Sequence, residues 1–303
     1  MLKITALAEN ISENELLSAD FGLSLYIEFG GKKILLDTAS TGKCLENAEK
    51  LGINLHSLDA IVLSHGHFDH TDGAVSLIEN GITDTPVYIS RYAFSERYWH
   101  RTDDGEFYFP TMAGISPAYL QRKHVPFRAL CTDSYELGEN IYILSNISRS
   151  CEFEAVCPDD FVKVGNDYVI DDYRDECVLV LDMGDGLAVL TGCGHHGIIN
   201  IIRHVEKVFN KPVWVFVGGT HLVAFGAERT ELTVKALKES NLKLLCAGHC
   251  TGPDAMKAFA EKLPFFKPLH TGTIIEYFGV FIFSLLHGFH ITQLVYCALI
   301  TQK

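Results

Sequence analysis

The chain has 303 residues, 48% of them apolar, with 25 basic against 38 acidic side chains and a formal charge of −13. That length and apolar content support a buried core and exclude a disordered chain. The acidic balance, with no basic stripe, excludes a general nucleic-acid binder. Nine scattered cysteines without a CxxC pair exclude a disulfide framework.

The first ten residues alternate like a strand and lack the charged and long apolar regions of a signal peptide, so a reduced, cytoplasmic setting is expected. Short apolar, β-branched runs at 4–8, 23–29, 33–36, 60–63, 87–90, 141–144, 178–181, 187–190, 213–217 and 242–246 read as strands, several buried on both faces. Gly30-Gly31 and Gly184-Asp185-Gly186 mark hairpin turns. Helical spacing appears at 42–50, 72–79 and 228–240. It recurs in Ile198, Ile201, Ile202, Val205 and Phe209, and again in Met256, Phe259, Ala260 and Leu263 behind Pro253. Hairpins alternating with helices predict an α/β (α+β) chain, two mixed sheets flanked by helices in an αββα sandwich. One domain is expected over 1–277, with 91–140 as an elaborated loop or cap. The apolar tail, 278–303, is uncharged through 302 but is interrupted by His287, Gly288 and His290. A spanning helix needs roughly 20 mostly apolar residues. The tail therefore reads as packed against the domain or disordered, and no membrane partner is expected.

The chemistry concentrates in Ser64-His65-Gly66-His67-Phe68-Asp69-His70, directly after the strand 60–63. Four ligand-type side chains crowd into six residues, and imidazole with carboxylate suits zinc, iron or manganese. His65 and His67 are two apart, so an extended chain projects them to one side, and Gly66 allows a tight turn. Asp69 and His70 follow before a helix that starts at Asp72. One cation can take His65 and His67, and a second Asp69 and His70. Two such metals lower the pKa of a shared water and supply a nucleophile at neutral pH. The remaining ligands must come from other strand ends. His195, His221 and His249 all stand at such ends beside glycines, and at least two of them are expected to bind metal.

The HGHFDH run resembles the HxHxDH signature of the metallo-β-lactamase superfamily. Glu9-Asn10, Gly22-Leu23-Ser24, Leu36-Asp37-Thr38, Asn47, Thr191-Gly192-Cys193, Gly218-Gly219 with His221-Leu222, and His249-Cys250-Thr251-Gly252 resemble one branch of it. That branch carries names such as metal-dependent hydrolase and 7,8-dihydropterin-6-methyl-4-(β-D-ribofuranosyl)-aminobenzene-5′-phosphate synthase, and the similarity spans roughly residues 2–277. It implies metal roles for His65, His67, Asp69, His70, His195 and His249, with Asp69 also orienting the nucleophile. His221 is an alternative ligand or a substrate contact. Asp37 is implied to support the metal loop, with a strand-end cap as the plain alternative. Two divalent ions are implied, zinc first and manganese or iron as alternatives. The substrate is a small-molecule ester or phosphoester, with a pterin or ribofuranosyl phosphate as one candidate.

Three positions depart from the pattern. Asp37-Thr38-Ala39 stands where the family has Asp-Thr-Gly, Asp72-Gly73 where it has Gly-Gly, and His196 where it has a small residue. His196 is expected to face solvent, with an added ligand as the alternative. Cys193 is two positions before His195 and reads as a buried inert thiol or a thiolate ligand. Asp175-Glu176 reads as a solvated strand entrance, with a carboxylate that reaches the site as the alternative, and Arg149 as either a phosphate clamp or a surface arginine. A di-iron redox protein and a metal-binding sensor on the same fold remain as the other readings.

Overall fold

The computed structural model describes residues 1–101 and 107–278 in full and the backbone of Ile282–Leu285. The tail expectation therefore falls almost wholly outside the described residues. No helix of the described residues is long and apolar enough to cross a membrane.

Three sheets form. The first contains, in chain order, β1 (Leu2–Ala8), β2 (Ser24–Phe29), β3 (Lys32–Leu36), β4 (Ala60–Leu63) and β5 (Val87–Ser90). The third sheet opens with β6 (Arg97–Arg101) and β7 (Phe107–Pro110). Then come β8 (Phe127–Leu130), which joins the first sheet, and the second sheet's β9 (Ser134–Gly138) and β10 (Ile141–Leu144). β11 (Asp160–Val164) and β12 (Asp167–Ile170) complete the third sheet. β13 (Val178–Asp182), β14 (Leu187–Leu190), β15 (Val213–Gly218), β16 (Leu244–Ala247) and β17 (Phe266–Pro268) complete the second. β18 (Ile274–Tyr277) and β19 (Ile282–Leu285) return to the first. The spatial orders are β19-β18-β1-β2-β3-β4-β5-β8, β17-β16-β15-β14-β13-β10-β9 and β12-β11-β6-β7.

The alternation of side chains along each strand builds the layers. One set (Leu25, Ile27, Ile34, Leu36 and Val62 from the first sheet, Leu179, Leu181, Leu190, Val215 and Val217 from the second) forms the core between the sheets. The opposite set on the first sheet packs beneath α1 (Lys43–Lys50) and α3 (Gly73–Glu79). The opposite set on the second packs beneath α5 (Ile198–Phe209), α6 (Ala227–Lys238) and α7 (Pro253–Lys262). Two faces of each central strand are therefore apolar, which is why their sequences are continuous apolar runs.

β3, β4, β5 and β8 run parallel, as do β14 to β17. Parallel strands leave their carboxyl ends on one edge, and the loops there carry Asp37, His65, His195, His221 and His249. The loop after β4 turns at once into α2 (Phe68–Thr71), so Asp69 and His70 are already helical, earlier than the expected start at Asp72. A Cβ on Gly66 would lie 1.9 Å from the Ala93 carbonyl oxygen, so the glycine is required by close approach.

Residues 91–140 are more regular than expected. They hold β6, β7, α4 (Pro117–Arg122), β8 and β9, and so contribute to all three sheets. β11 and β12 carry no run of apolar residues long enough to announce them. Their partners are β6 and β7, and all four strands are short and largely open to solvent.

Candidate metal centre

The strand ends bring the predicted donors together in two adjacent groups. His65, His67 and His195 place one ring nitrogen each within 4.8 Å of one another, and Asp69, His70 and His249 do the same with a carboxylate oxygen and two nitrogens. His65 Nε2 stands 3.2 Å from His195 Nε2, and His70 Nε2 3.1 Å from His249 Nε2. The His65 and His70 rings are 4.3 Å apart between centroids, so the two groups share a wall.

Each group is held by buried polar contacts. Asp37 ends β3 with both carboxylate oxygens in use. Oδ1 accepts from the Ser64 N–H, and Oδ2 accepts from Ser64 Oγ and His70 Nδ1, each at 2.7 Å. It thus pins the loop after β4 to the end of its own strand. With Nδ1 against Asp37, the His70 ring turns its Nε2 toward His249. Asn10 Oδ1 lies 3.1 Å from His249 Nδ1, and the Glu9 carboxylate accepts the His249 N–H at 2.5 Å.

The charges fit cations. Burial, then the neighbouring rings His70 and His67, hold His65 well below the usual imidazole range. Burial also pushes His67 down to about 3, and burial with His221 and His65 holds His195 well below its ordinary value. All three rings of the first group thus disfavour their own protonation, and His65 Nε2 faces His195 Nε2. At the second, burial opposes charge on His249, but Cys250 and Asp69 outweigh it and push that ring up to about 9. Asp69 is held below the carboxylate range, burial notwithstanding, by His70 and His249. The site thus calls for positive charge beside Asp69, and facing imidazole nitrogens about 3 Å apart are the arrangement a divalent ion satisfies.

Several residues differ from expectation. Asp175 and Glu176 are buried, not solvated. Asp175 Oδ2 accepts the Gly66 N–H at 2.7 Å, while Oδ1 lies 2.7 Å from Arg97. Arg97 also pairs with Asp171 at 2.7 Å. Burial pushes the Asp175 carboxyl up to about 6 even so. Glu176 accepts the N–H groups of His195 and His196, and His196 Nδ1 as well, so His196 is buried and not at the surface. Arg149 donates to the carbonyls of His196 (3.2 Å) and His195 (3.5 Å), a backbone support that neither expectation described. His221 belongs to neither triad. It packs 4.1 Å from the His195 ring and groups with Asp160.

Sequence reasoning gave no role to Tyr173, Asp160 or Arg97. Tyr173 stacks on His195 at 3.8 Å and donates to Asp160. Tyr173 (φ 55) and Ala39 (φ 56) both sit in the left-handed region. Ala39 keeps the backbone that the family pattern builds with glycine, at a cost of roughly 1–2 kcal/mol. Asp72, the second departure, accepts the Gly114 N–H at 2.6 Å and ties α3 to the loop before α4.

Truncating Arg97 to alanine strands two buried carboxylates, so Arg97→Ala is expected to lower unfolding free energy by about 3–5 kcal/mol. Urea denaturation of the metal-free protein measures this, and a change within 0.5 kcal/mol (about the scatter of a neutral surface substitution) contradicts it.

Comparison with known proteins agrees with this architecture. A family model described as Metallo-beta-lactamase superfamily matches residues 17–144. The 7,8-dihydropterin-6-methyl-4-(beta-D-ribofuranosyl)-aminobenzene-5′-phosphate synthase of Methanocaldococcus jannaschii is 32% identical over 291 residues, 91% of this chain and 97% of its own. The crystal structure of Tm1679, a metal-dependent hydrolase of the beta-lactamase superfamily, superposes with a TM-score of 0.79 at 26% identity, covering 91% of this chain and 99% of that one. Zn(2+)-bound PqqB from Methylobacterium extorquens shares the fold at a TM-score of 0.56 and 10% identity, over 91% of this chain and 100% of its own. The chain belongs to the metallo-β-lactamase superfamily.

Proposed function

We propose that the chain is a dinuclear metal-dependent hydrolase of small molecules, acting on an ester, phosphoester or related bond. The observation that carries this reading is the pair of adjacent donor triads at the sheet edge. His65, His67 and His195 would hold one divalent cation, and Asp69, His70 and His249 the other. Imidazole-rich sets favour zinc, with manganese or iron as alternatives. When bound, the two ions supply Lewis acidity toward the electrophilic oxygen and a nucleophile at neutral pH.

The chain's own side chains do the positioning. Asp37 fixes the tautomer and angle of His70, and Glu176 fixes the loop that presents His195. Asp69, kept ionised, can accept a hydrogen bond from the attacking group.

The substrate face points to a planar ring. Trp99 pairs with Asp160 on one side and Phe109 on the other, and paired residues share a face. Asp160 reaches the His195 and His221 rings, so the Trp99–Phe109 face opens beside the first triad. These two rings are 43% and 44% exposed, too open for a core role. Arg101, over the Trp99 ring at 4.9 Å, adds a cation farther out on the same strand. A flat heterocycle matches this arrangement.

A second reading follows from the name of the 32% identical relative, a synthase whose product joins a dihydropterin methyl group to an aminobenzene ribofuranosyl phosphate. The same activation of an electrophile would serve attack by an amine in place of water.

The deciding assay is a panel of phosphomonoesters, phosphodiesters, thioesters and lactones, beside a dihydropterin donor with an aminobenzene ribofuranosyl phosphate acceptor. Hydrolysis that falls at least 100-fold in His65→Ala supports the first reading, and coupling without hydrolysis supports the second. Retained metal with no turnover supports a sensor, and a reversible iron chromophore a redox protein. Full activity in His65→Ala contradicts the metal assignment. On whichever substrate turns over, Trp99→Ala is expected to raise KM about tenfold, the loss of roughly one stacking contact, with kcat changed less than twofold. An unchanged KM contradicts the aromatic platform.

A further inference from the structure

Cys193 lies between the two triads. Its Sγ groups with His65 and His70, and again with His249 and Cys250, with all donor atoms of each group within 4.8 Å. It stands 3.1 Å from His70 Nε2. Asp69, by contrast, groups only with His70 and His249. Among the described residues no carboxylate groups with both His65 and His70, whereas the Cys193 sulfur does.

The local backbone is built to bring that sulfur in. A Cβ on Gly192 would lie 2.1 Å from Ser64 Oγ and 2.7 Å from Asp37 Oδ2, so only glycine lets the chain pass this close to the metal loop. Gly194, at φ +72, turns the chain so that Cys193 and His195 both face the centre. Cys193 is 3% exposed, which removes it from thiol chemistry with solvent partners. The sulfur of Cys250 contacts the Cys193 carbonyl oxygen at 3.2 Å, and among the described residues it groups with Cys193 and His249 but with no donor of the first triad.

We propose that Cys193 is a thiolate ligand shared by the two cations, with Cys250 supporting it from outside the shared position. This rests on the dinuclear reading above. On binding, the Cys193 S–H bond breaks, its electron pair bonds the cations and the proton leaves to solvent. A soft donor at the centre selects zinc, cobalt(II), iron(II) or cadmium over magnesium and calcium. A buried inert thiol would leave the sulfur protonated against His70 and confer no such preference.

Anaerobic titration of the metal-free protein with cobalt(II), followed by absorbance and by elemental analysis of bound metal, tests this. In the wild type a near-ultraviolet thiolate-to-cobalt band is expected to grow across both equivalents. Cys193→Ser should lose the band, and Cys250→Ser should keep it. Cys193→Asp should bind two equivalents without the band, which separates a lost ligand from a lost fold. Circular dichroism of each variant supplies the fold control, and if Cys193→Ser does not fold, the wild-type and Cys193→Asp titrations decide alone. A band complete at one equivalent, or one that survives in Cys193→Ser or Cys193→Asp, overturns the shared ligand. Two bound cobalt ions with no band overturn it while leaving the dinuclear reading intact. Fewer than two bound ions overturn that reading as well.

Discussion

The carboxylate of Asp37 is the contact on which the centre depends. It is fully buried, and a buried carboxylate is costly unless its oxygens are hydrogen-bonded. Three donors at 2.7 Å meet that requirement, and they come from two places: the end of β4 and the helix that follows it. One side chain at the end of β3 therefore locks the neighbouring strand and sets the angle of His70. Removing it would leave the His70 ring free to turn and the Ser64 N–H unpaired in the interior.

The same logic extends outward from the donors. Arg97 neutralises Asp175, which holds Gly66. Glu176 holds the N–H groups of His195 and His196, and Glu9 holds that of His249. Each donor loop is thus fixed by a buried carboxylate that accepts backbone N–H groups. Charges of this kind fix geometry more than they add stability. The net charge of −13 is no obstacle to an anionic substrate, because two divalent cations, bound as proposed, would dominate the field at close range.

Ten strands of the first two sheets and the helices over them were legible because their apolar periods are unambiguous, whereas β8, β9, β17 and β18 are short and each is broken by a charged residue. The convergence of His65, His67, Asp69 and His70 was legible because four ligand-type residues fall in six positions, and that of His195 and His249 because each follows a strand that must end on the same edge. Less could be read where the reason for a residue is its distant partner. Arg97 and Asp171 are 74 positions apart, Asp175 and Gly66 109 apart, and neither spacing leaves a local pattern. Asp175-Glu176 and His196 consequently look like surface residues in sequence and prove buried. The third sheet was hidden for a different reason: its strands are short, rich in Tyr, Phe and Arg, and open to solvent, so their alternation of apolar and polar residues is weak. Ala39 shows the converse case, where a departure from the family pattern suggested altered geometry and the backbone nonetheless keeps a positive φ.

The central claim, two cations held by two triads, is tested most directly by anomalous diffraction at the zinc edge from crystals of the zinc-loaded protein. The account predicts two peaks, one among His65, His67 and His195 and the other among Asp69, His70 and His249. A single peak, or peaks away from these six side chains, would contradict it.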